Sequence, residues 1–107
     1  SDLELARESY LKVRSNMGKI FFHKLAKLHL QLGELVEAKH VLDEGLSLVK
    51  KTDKLKYNEL LLVKAEILEK EGKLNEAKEQ YGVVYDKFLE IYGEDGKRTL
   101  QIKRKLQ

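Results

Sequence analysis

The chain has 107 residues, a length that suits a single domain, and it contains no cysteine and no proline. The lack of cysteine excludes a disulfide framework and a thiolate metal site. The lack of proline, with abundant Leu, Lys, Glu and Ala, favours an all-α fold. Because 21 basic and 18 acidic residues are mostly interspersed, the net charge of +3 indicates a solvated surface of mixed sign rather than a nucleic-acid-binding one.

The chain does not begin with Met and shows no signal-peptide pattern. It also has no apolar run close to the roughly 20 residues of a transmembrane helix. We therefore expect an excised fragment of a soluble, cytoplasmic protein with no membrane partner.

The first predicted helix covers residues 3–15. Ser1 and Glu4 fit a capping box, in which each side chain accepts a hydrogen bond from the backbone N–H of the other residue. Apolar residues spaced by three and four then fall on one face: Leu3, Ala6, Tyr10 and Val13. Asn16 and Gly18 interrupt this helix.

The pattern Gly-x-Leu-x-Glu-Ala-Lys occurs at residues 33–39 and again at residues 72–78. A glycine that ends one helix in the left-handed conformation, followed at once by an amphipathic run, is typical of a helical hairpin. We therefore predict helices at residues 19–32 and 35–50, then at about 54–71 and at 74–92. Thr52 or Asp53 is the expected cap of the third of these helices.

The apolar spacing predicts which residues of both hairpins face inward. The first helices contribute Phe21, Phe22, Leu25, Ala26, Leu28 and Leu32, and then Leu60, Leu61, Val63, Ala65, Ile67 and Leu68. The second helices contribute two sets that lie 39 residues apart, Leu35, Ala38, Leu42, Gly45, Leu46 and Val49, and Leu74, Ala77, Tyr81, Val84, Tyr85 and Phe88.

Small residues in these sets predict close approach between helices. Ala38 and Ala77 permit a shorter distance between helix axes than Leu would allow. Gly45 costs roughly 1 kcal/mol relative to Ala inside a helix, which favours a packing role for this residue.

Residues 93–96 are predicted to form a turn, and residues 97–107 a further helix with Leu100 and Leu106 apolar. We therefore expect one domain in four segments. Residues 1–18 are the second helix of a truncated repeat, 19–53 a repeat, 54–93 a long repeat, and 94–107 the first helix of another repeat.

These positions resemble the tetratricopeptide repeat, whose second helix starts after a Gly and carries a small residue five positions later. Counting from Lys19 places Phe22, Leu25, Ala26, Gly33, Ala38, Leu42 and Gly45 on the signature positions. Counting from Asn58 places Leu61, Ala65, Leu68, Gly72, Ala77, Tyr81 and Val84 there. The resemblance implies a right-handed α-solenoid of antiparallel helical hairpins with about six helices.

The repeat spacing departs from the family's usual 34 residues, being 32 and then 39, and the closing proline is absent. The long second repeat is similar to the kinesin light-chain style of this family. The helical repeats of proteasome-lid and signalosome subunits are a second resemblance.

No spacing assembles a catalytic or metal constellation. His23 and His29 lie six residues apart, which does not place them on one helical face. We expect these two residues and His40 to be polar residues of the surface or of a groove rather than metal ligands. Glu66 and Glu69 share a face, but without a matching His or a phosphate-binding loop they are expected to be exposed charges. We therefore predict a non-enzymatic protein with no cofactor and no metal.

The resemblance implies that a partner binds to a concave groove lined by the first helix of each repeat. The groove positions are Ile20, His23, Lys27, Leu30, Gln31, Glu59, Leu62, Glu66, Glu69 and Lys70. One wall is then basic to neutral and the other acidic, which suits a peptide or helix with both signs and an apolar anchor. Because His23 and Lys27 replace the family's Lys and Asn, we do not expect strong binding of an acidic C-terminal peptide.

Two other roles remain open. The first is a structural segment that stacks on neighbouring repeats or on a second copy through its exposed ends. The second is nucleic-acid binding through the basic cluster Lys97, Arg98, Lys103, Arg104 and Lys105, for which a solvated terminal helix is the favoured interpretation.

Overall fold

The computed structural model describes residues 5, 8 and 22–107. Leu5 and Glu8 are helical, but the rest of the helix predicted at residues 3–15 lies outside the described residues, as do Ile20 and Phe21.

Five α-helices form within residues 22–107, and no strand occurs there, which confirms the all-α prediction for this part of the chain. They are α1 Phe22–Gln31, α2 Leu35–Leu48, α3 Lys54–Lys70, α4 Leu74–Tyr92 and α5 Lys97–Leu106. Where a helix end lies within the described residues, the predicted bound differs from the observed one by at most two residues. Such differences are common because helix ends fray.

Gly33 and Gly72 end α1 and α3 as predicted, with backbone φ angles of 78° and 80°. After α1, the Gly33 N–H donates to the Leu30 carbonyl at 3.0 Å and the Glu34 N–H donates to the His29 carbonyl at 2.9 Å. This pair of bonds is a Schellman motif, which satisfies carbonyls that a helix end leaves unpaired. The same pair of bonds recurs around Gly72, so both hairpins turn in the same way.

The start of α3 is capped by Asp53, one of the two predicted caps. Its carboxylate accepts a hydrogen bond from the Lys56 backbone N–H at 3.3 Å. This bond satisfies one of the four N–H groups that the first turn of a helix leaves without a partner.

Gly45 has the packing role predicted for it. A Cβ atom at this position would lie 2.8 Å from Phe22 Cβ and 3.0 Å from Leu60 Cδ2. The backbone of α2 therefore lies directly against side chains of α1 and α3.

Two core clusters share α3, which lies between them. The first joins α1, α2 and α3 through Phe22, Leu25, Ala26, Leu30, Ala38, Val41, Leu42, Leu60, Val63 and Ile67. The second joins α3, α4 and α5 through Leu62, Ala65, Ala77, Tyr81, Val84, Phe88 and Ile102. Each helix packs against the next one along the chain, and α1 also packs against α3.

Leu74 was predicted to face inward, but it is 65% exposed. Leu74 is exposed because α5 is too short to cover the whole length of α4. At 1.5 Å per residue the 19 residues of α4 span about 28 Å, whereas the ten residues of α5 span about 15 Å. Because α5 folds back from the end of α4, it stops short of Leu74. The equivalent Leu35 is partly buried against the first core cluster.

Leu30, predicted to line an open groove, is only 6% exposed and belongs to the first core cluster. Leu62, predicted for the same groove, is also 6% exposed and belongs to the second core cluster, and it lines one of the cavities described below. On α5, Thr99 and Ile102 are the buried residues, whereas Leu100 is exposed. The spacing of apolar residues did not identify Thr99, whose hydroxyl donates to the Phe88 carbonyl at 3.1 Å.

Candidate functional site

The helices α1, α3 and α5, together with Tyr81 and Tyr92 of α4, line two adjoining cavities. The smaller, here called the Glu66 cavity, has a volume of about 230 Å³ and is lined by Lys27, Leu62, Glu66, Tyr81, Arg98, Gln101, Ile102 and Lys105. The larger, the Tyr92 cavity, has a volume of about 490 Å³ and is lined by His23, Lys24, Lys27, Leu55, Lys56, Glu59, Tyr92 and Arg98. Lys27 and Arg98 line both cavities and mark the boundary between them.

Helical spacing explains why these side chains lie together. On α3, the cavity residues Leu55, Glu59, Leu62 and Glu66 follow at intervals of four, three and four. On α5, Arg98, Gln101 and Lys105 follow at intervals of three and four, and His23 and Lys27 of α1 are four apart. Residues at these intervals are neighbours on a helix surface, so each helix presents one stripe to the cavities.

The carboxylates of α3 lie between cations from α1 and α5. Lys27 Nζ is 3.7 Å from Glu66 Oε2, on the α1 side. On the α5 side, Arg98 Nη2 donates to both oxygens of Glu59.

Near the end of α5, Lys105 makes a matching pair with α3. Its Nζ donates to Glu69 Oε1 at 3.2 Å. Three cations on the surface formed by α1, α3 and α5, here called the face, therefore each have a carboxylate partner. The pairs are Lys27 with Glu66, Arg98 with Glu59 and Lys105 with Glu69.

Two of these cations also contact aromatic rings of α4. Arg98 Cζ lies 5.2 Å from the centre of the Phe88 ring, and Lys105 Nζ lies 5.7 Å from the centre of the Tyr81 ring. A cation at such a distance is attracted by the negative face of the ring. The basic side chains of α5 therefore hold this helix against both α3 and α4.

A short network of polar groups surrounds Glu69. The Tyr81 hydroxyl donates to Glu69 Oε1 at 2.9 Å. This hydrogen bond, with a smaller contribution from Lys105, lowers the pKa of Glu69 below its ordinary value. Burial and the neighbouring carboxylate raise the pKa of Tyr81 well above its ordinary value, so the phenol stays protonated and donates.

Glu66 is the least satisfied polar group of the face. Its Oε1 atom is buried and has no hydrogen-bond partner among the described residues. Burial raises the pKa of Glu66, although Lys27 and Lys105 partly oppose that effect. A buried oxygen left without a partner costs about 1–3 kcal/mol, so such groups are uncommon in native structures.

His23 lines the Tyr92 cavity from α1. Burial lowers the pKa of this imidazole, with a smaller opposing effect from Glu59. Because the ordinary value is already below 7, the ring is neutral at pH 7. His23 therefore adds a hydrogen-bonding group to the cavity rather than a charge.

The predicted groove agrees with the cavities in part. His23, Lys27, Glu59, Leu62 and Glu66 line them, whereas Leu30 is buried in the core and Gln31 and Lys70 are exposed and line neither cavity. Glu69 lines neither cavity, but it pairs with Lys105, which lines the Glu66 cavity. Ile20 lies outside the described residues.

The position of α5 differs from the solvated terminal helix that the sequence predicts. Two residues of its basic cluster, Arg98 and Lys105, form ion pairs with carboxylates of α3. The available signal was the spacing of Arg98, Gln101 and Lys105, which forms one stripe on a helix.

The described residues include no group of three or more His, Cys, Asp or Glu that could hold a metal ion. No helix described by the structure is both long enough and apolar enough to cross a membrane. Comparison of the chain with protein-family models, with curated proteins and with solved structures finds no match.

Proposed function

We propose that the protein is a non-enzymatic interaction module, and that the face formed by α1, α3 and α5 binds a peptide or helix of a partner protein. The observation that carries this proposal is the pair of adjoining cavities on alternate helices. Concave surfaces with a few apolar groups and converging polar ones are the usual places where proteins bind their ligands.

The chemistry of the face defines the kind of segment that it suits. Leu55 and Tyr92 are exposed apolar side chains in the larger cavity, and Leu62 and Ile102 are the buried apolar residues of the smaller one. Five cations and two carboxylates also line the two cavities: Lys24, Lys27, Lys56, Arg98 and Lys105, and Glu59 and Glu66. A partner segment with apolar anchors and charges of both signs fits such a surface.

The proposed architecture is a right-handed α-solenoid of antiparallel hairpins, similar to tetratricopeptide repeats. The matching turns at Gly33 and Gly72, the contact between α1 and α3, and the two cores that share α3 all support it. Such a stack places the first helix of each hairpin on one concave surface.

The test is partner capture from a lysate, compared between two matched variants. Leu55 is 45% exposed inside the Tyr92 cavity, and Leu74 is 65% exposed outside both cavities. We expect Leu55→Lys to reduce capture of specific partners at least tenfold, the effect of about 1.4 kcal/mol, and Leu74→Lys to leave it unchanged. Equal capture by both variants would contradict the assignment of the face.

A second candidate is self-association, which the exposure of Leu74 favours. Its counterpart Leu35 is covered by the first core cluster, whereas nothing in residues 22–107 buries Leu74. A second copy stacked at this position would bury it. Light scattering tests this directly. The apparent molecular mass of the wild type should rise with protein concentration, whereas that of Leu74→Lys should stay at the mass of the monomer.

A further inference from the structure

We infer that the protein associates head to tail, and that α5 of one copy docks antiparallel on the outer surface of α4 of a second copy. The inference goes beyond the proposed function, because none of the six residues that carry it lines either cavity. It follows from two stripes of exposed side chains, one on each helix, that match in spacing and are opposite in charge.

The outer surface of α4 carries an apolar residue between two carboxylates. Glu79, Val83 and Asp86 follow at intervals of four and three, so they form one stripe, here called the α4 stripe. Each residue is turned about 100° around the helix axis from the one before it, which places Val83 opposite the buried Tyr81. Val83 is 45% exposed. Neither carboxylate has an ion-pair partner among the described residues.

The outer surface of α5 carries a complementary stripe. Lys97, Leu100 and Arg104 follow at intervals of three and four and form the α5 stripe. Leu100 is 40% exposed and lies two residues before the buried Ile102, on the opposite side of the helix. Neither cation pairs with a carboxylate in the part of the chain that the structure describes. This stripe is therefore an apolar side chain between two cations.

The two stripes match residue by residue when the helices run antiparallel. Read from its C-terminal end, the α5 stripe has intervals of four and three, as the α4 stripe has. The charged residues of each stripe are seven positions apart, which is about 10 Å along a helix. Two ion pairs and one apolar contact can therefore form together. The pairs are Arg104 with Glu79, Leu100 with Val83, and Lys97 with Asp86.

The equivalent surface of α3 shows why α5 suits a charged partner. Leu61 and Ala65 of α3 pack in the second core cluster, and they lie 39 residues before Leu100 and Arg104. Alanine permits a close approach of an apolar helix, whereas the long cationic side chain of Arg104 does not. A helix that brings a carboxylate to Arg104 and an apolar side chain to Leu100 fits this surface.

The pairing requires two copies of the chain. Within one copy, α4 and α5 pack against each other around Phe88 and Ile102 of the second core cluster. The two stripes are on the sides of these helices that point away from that contact, so they cannot meet in one chain. Because the contact joins two different surfaces, each copy keeps one stripe free and can bind a further copy.

The association should be weak and dependent on salt. Exposed ion pairs contribute little individually, and salt screens them. The Debye length falls from about 30 Å at 0.01 M salt to about 3 Å at 1 M. Copies with a net charge of +3 repel one another most at low salt. Tighter association at low salt would therefore indicate complementary charges rather than contact between apolar surfaces.

The test is light scattering of the 107-residue chain over a range of protein concentrations at both salt concentrations. We expect the apparent molecular mass to rise with concentration beyond that of a dimer at low salt. The dissociation constant should be at least about tenfold larger at high salt, a difference of about 1.4 kcal/mol.

Two double variants reverse one stripe each. Glu79→Lys combined with Asp86→Lys reverses the α4 stripe, and Lys97→Glu combined with Arg104→Glu reverses the α5 stripe. Each variant alone should stay monomeric at low salt, because stripes of like charge then meet. An equimolar mixture of the two should associate again, because the first variant keeps the α5 stripe and the second keeps the α4 stripe.

The matched control is Glu37→Lys combined with Asp43→Lys, which makes the same change of charge at two exposed carboxylates of α2. This control should still associate. Circular dichroism of every variant checks that it is folded.

The inference is overturned if the wild type stays monomeric at low salt, if the mixture does not associate, or if the control loses association as the reversed α4 stripe does. Association that Leu74→Lys abolishes and the reversed stripes retain would also overturn it, because the contact would then lie at the exposed start of α4. Partner capture by Leu55→Lys is measured separately, so the proposed function can fail or hold whatever the outcome here.

Discussion

Replacing Arg98 with alanine tests whether the basic side chains of α5 hold this helix in place. The change removes the hydrogen bonds to both oxygens of Glu59 and the contact with the Phe88 ring. An exposed ion pair contributes about 0–1 kcal/mol, and a cation–π contact at an exposed site about 0.5–1 kcal/mol. Because the Arg98 side chain is only 34% exposed, we expect the sum to lie near the upper end, at about 1–2 kcal/mol.

The assay is thermal unfolding followed by circular dichroism. A loss of about 1–2 kcal/mol should lower the melting temperature of a domain of this size by roughly 5–10 °C. Arg104→Ala is the matched control, because Arg104 is an exposed arginine on the same helix that lines neither cavity. The same melting temperature for both variants would refute the account of how α5 is held.

Four further predictions concern single residues. Gly45→Ala should destabilise the protein by about 1–3 kcal/mol in urea unfolding, because the new Cβ would lie 2.8 Å from Phe22 Cβ. Gly82→Ala should stabilise it by up to about 1 kcal/mol, since nothing lies within 4 Å there. Gly33→Ala should cost about 1–2 kcal/mol in the same assay, because φ is 78°. Glu66→Gln should gain stability over the wild type as the pH rises from about 4 to about 7. Burial raises the pKa of Glu66 in the folded wild type, so ionisation of this carboxyl lowers the free energy of unfolding as the pH rises. The glutamine of the variant does not ionise, so the variant does not lose stability in this way. A stability difference that is constant with pH would contradict this.

Much of the fold follows from local signals in the sequence. The repeated pattern at residues 33–39 and 72–78 identified both hairpin turns, because only glycine adopts positive φ there without strain. Gly45 was identified as a packing residue because glycine is otherwise unfavourable inside a helix. Both arguments depend on the backbone conformation of single residues, which the residue type itself indicates.

The arrangement of neighbours was less predictable. The apolar residues of α3 serve two cores, Leu60 and Val63 in the first and Leu62 and Ala65 in the second. Helical periodicity shows that such a face is wide, but it does not show which neighbour each residue meets. Leu74 was misplaced for the same reason, since its burial depends on how far another helix extends.

The candidate site was predicted for α1 and α3 but not for α5. The pairs that place α5 join residues far apart in sequence, Arg98 with Glu59 across 39 positions and Lys105 with Glu69 across 36. A single sequence does not distinguish a basic stripe that contacts carboxylates from one that contacts water. Tertiary packing decides between them.

Photo-crosslinking at single positions tests the central claim, that α1, α3 and α5 form the partner-binding face, most directly. The substitutions are Leu55→benzoylphenylalanine and Gln101→benzoylphenylalanine within the face, and Leu74→benzoylphenylalanine outside it. The account predicts that the first two capture the same protein from cell extract and that the third does not. Crosslinking of that protein from Leu74 alone, or equally from all three positions, would contradict it.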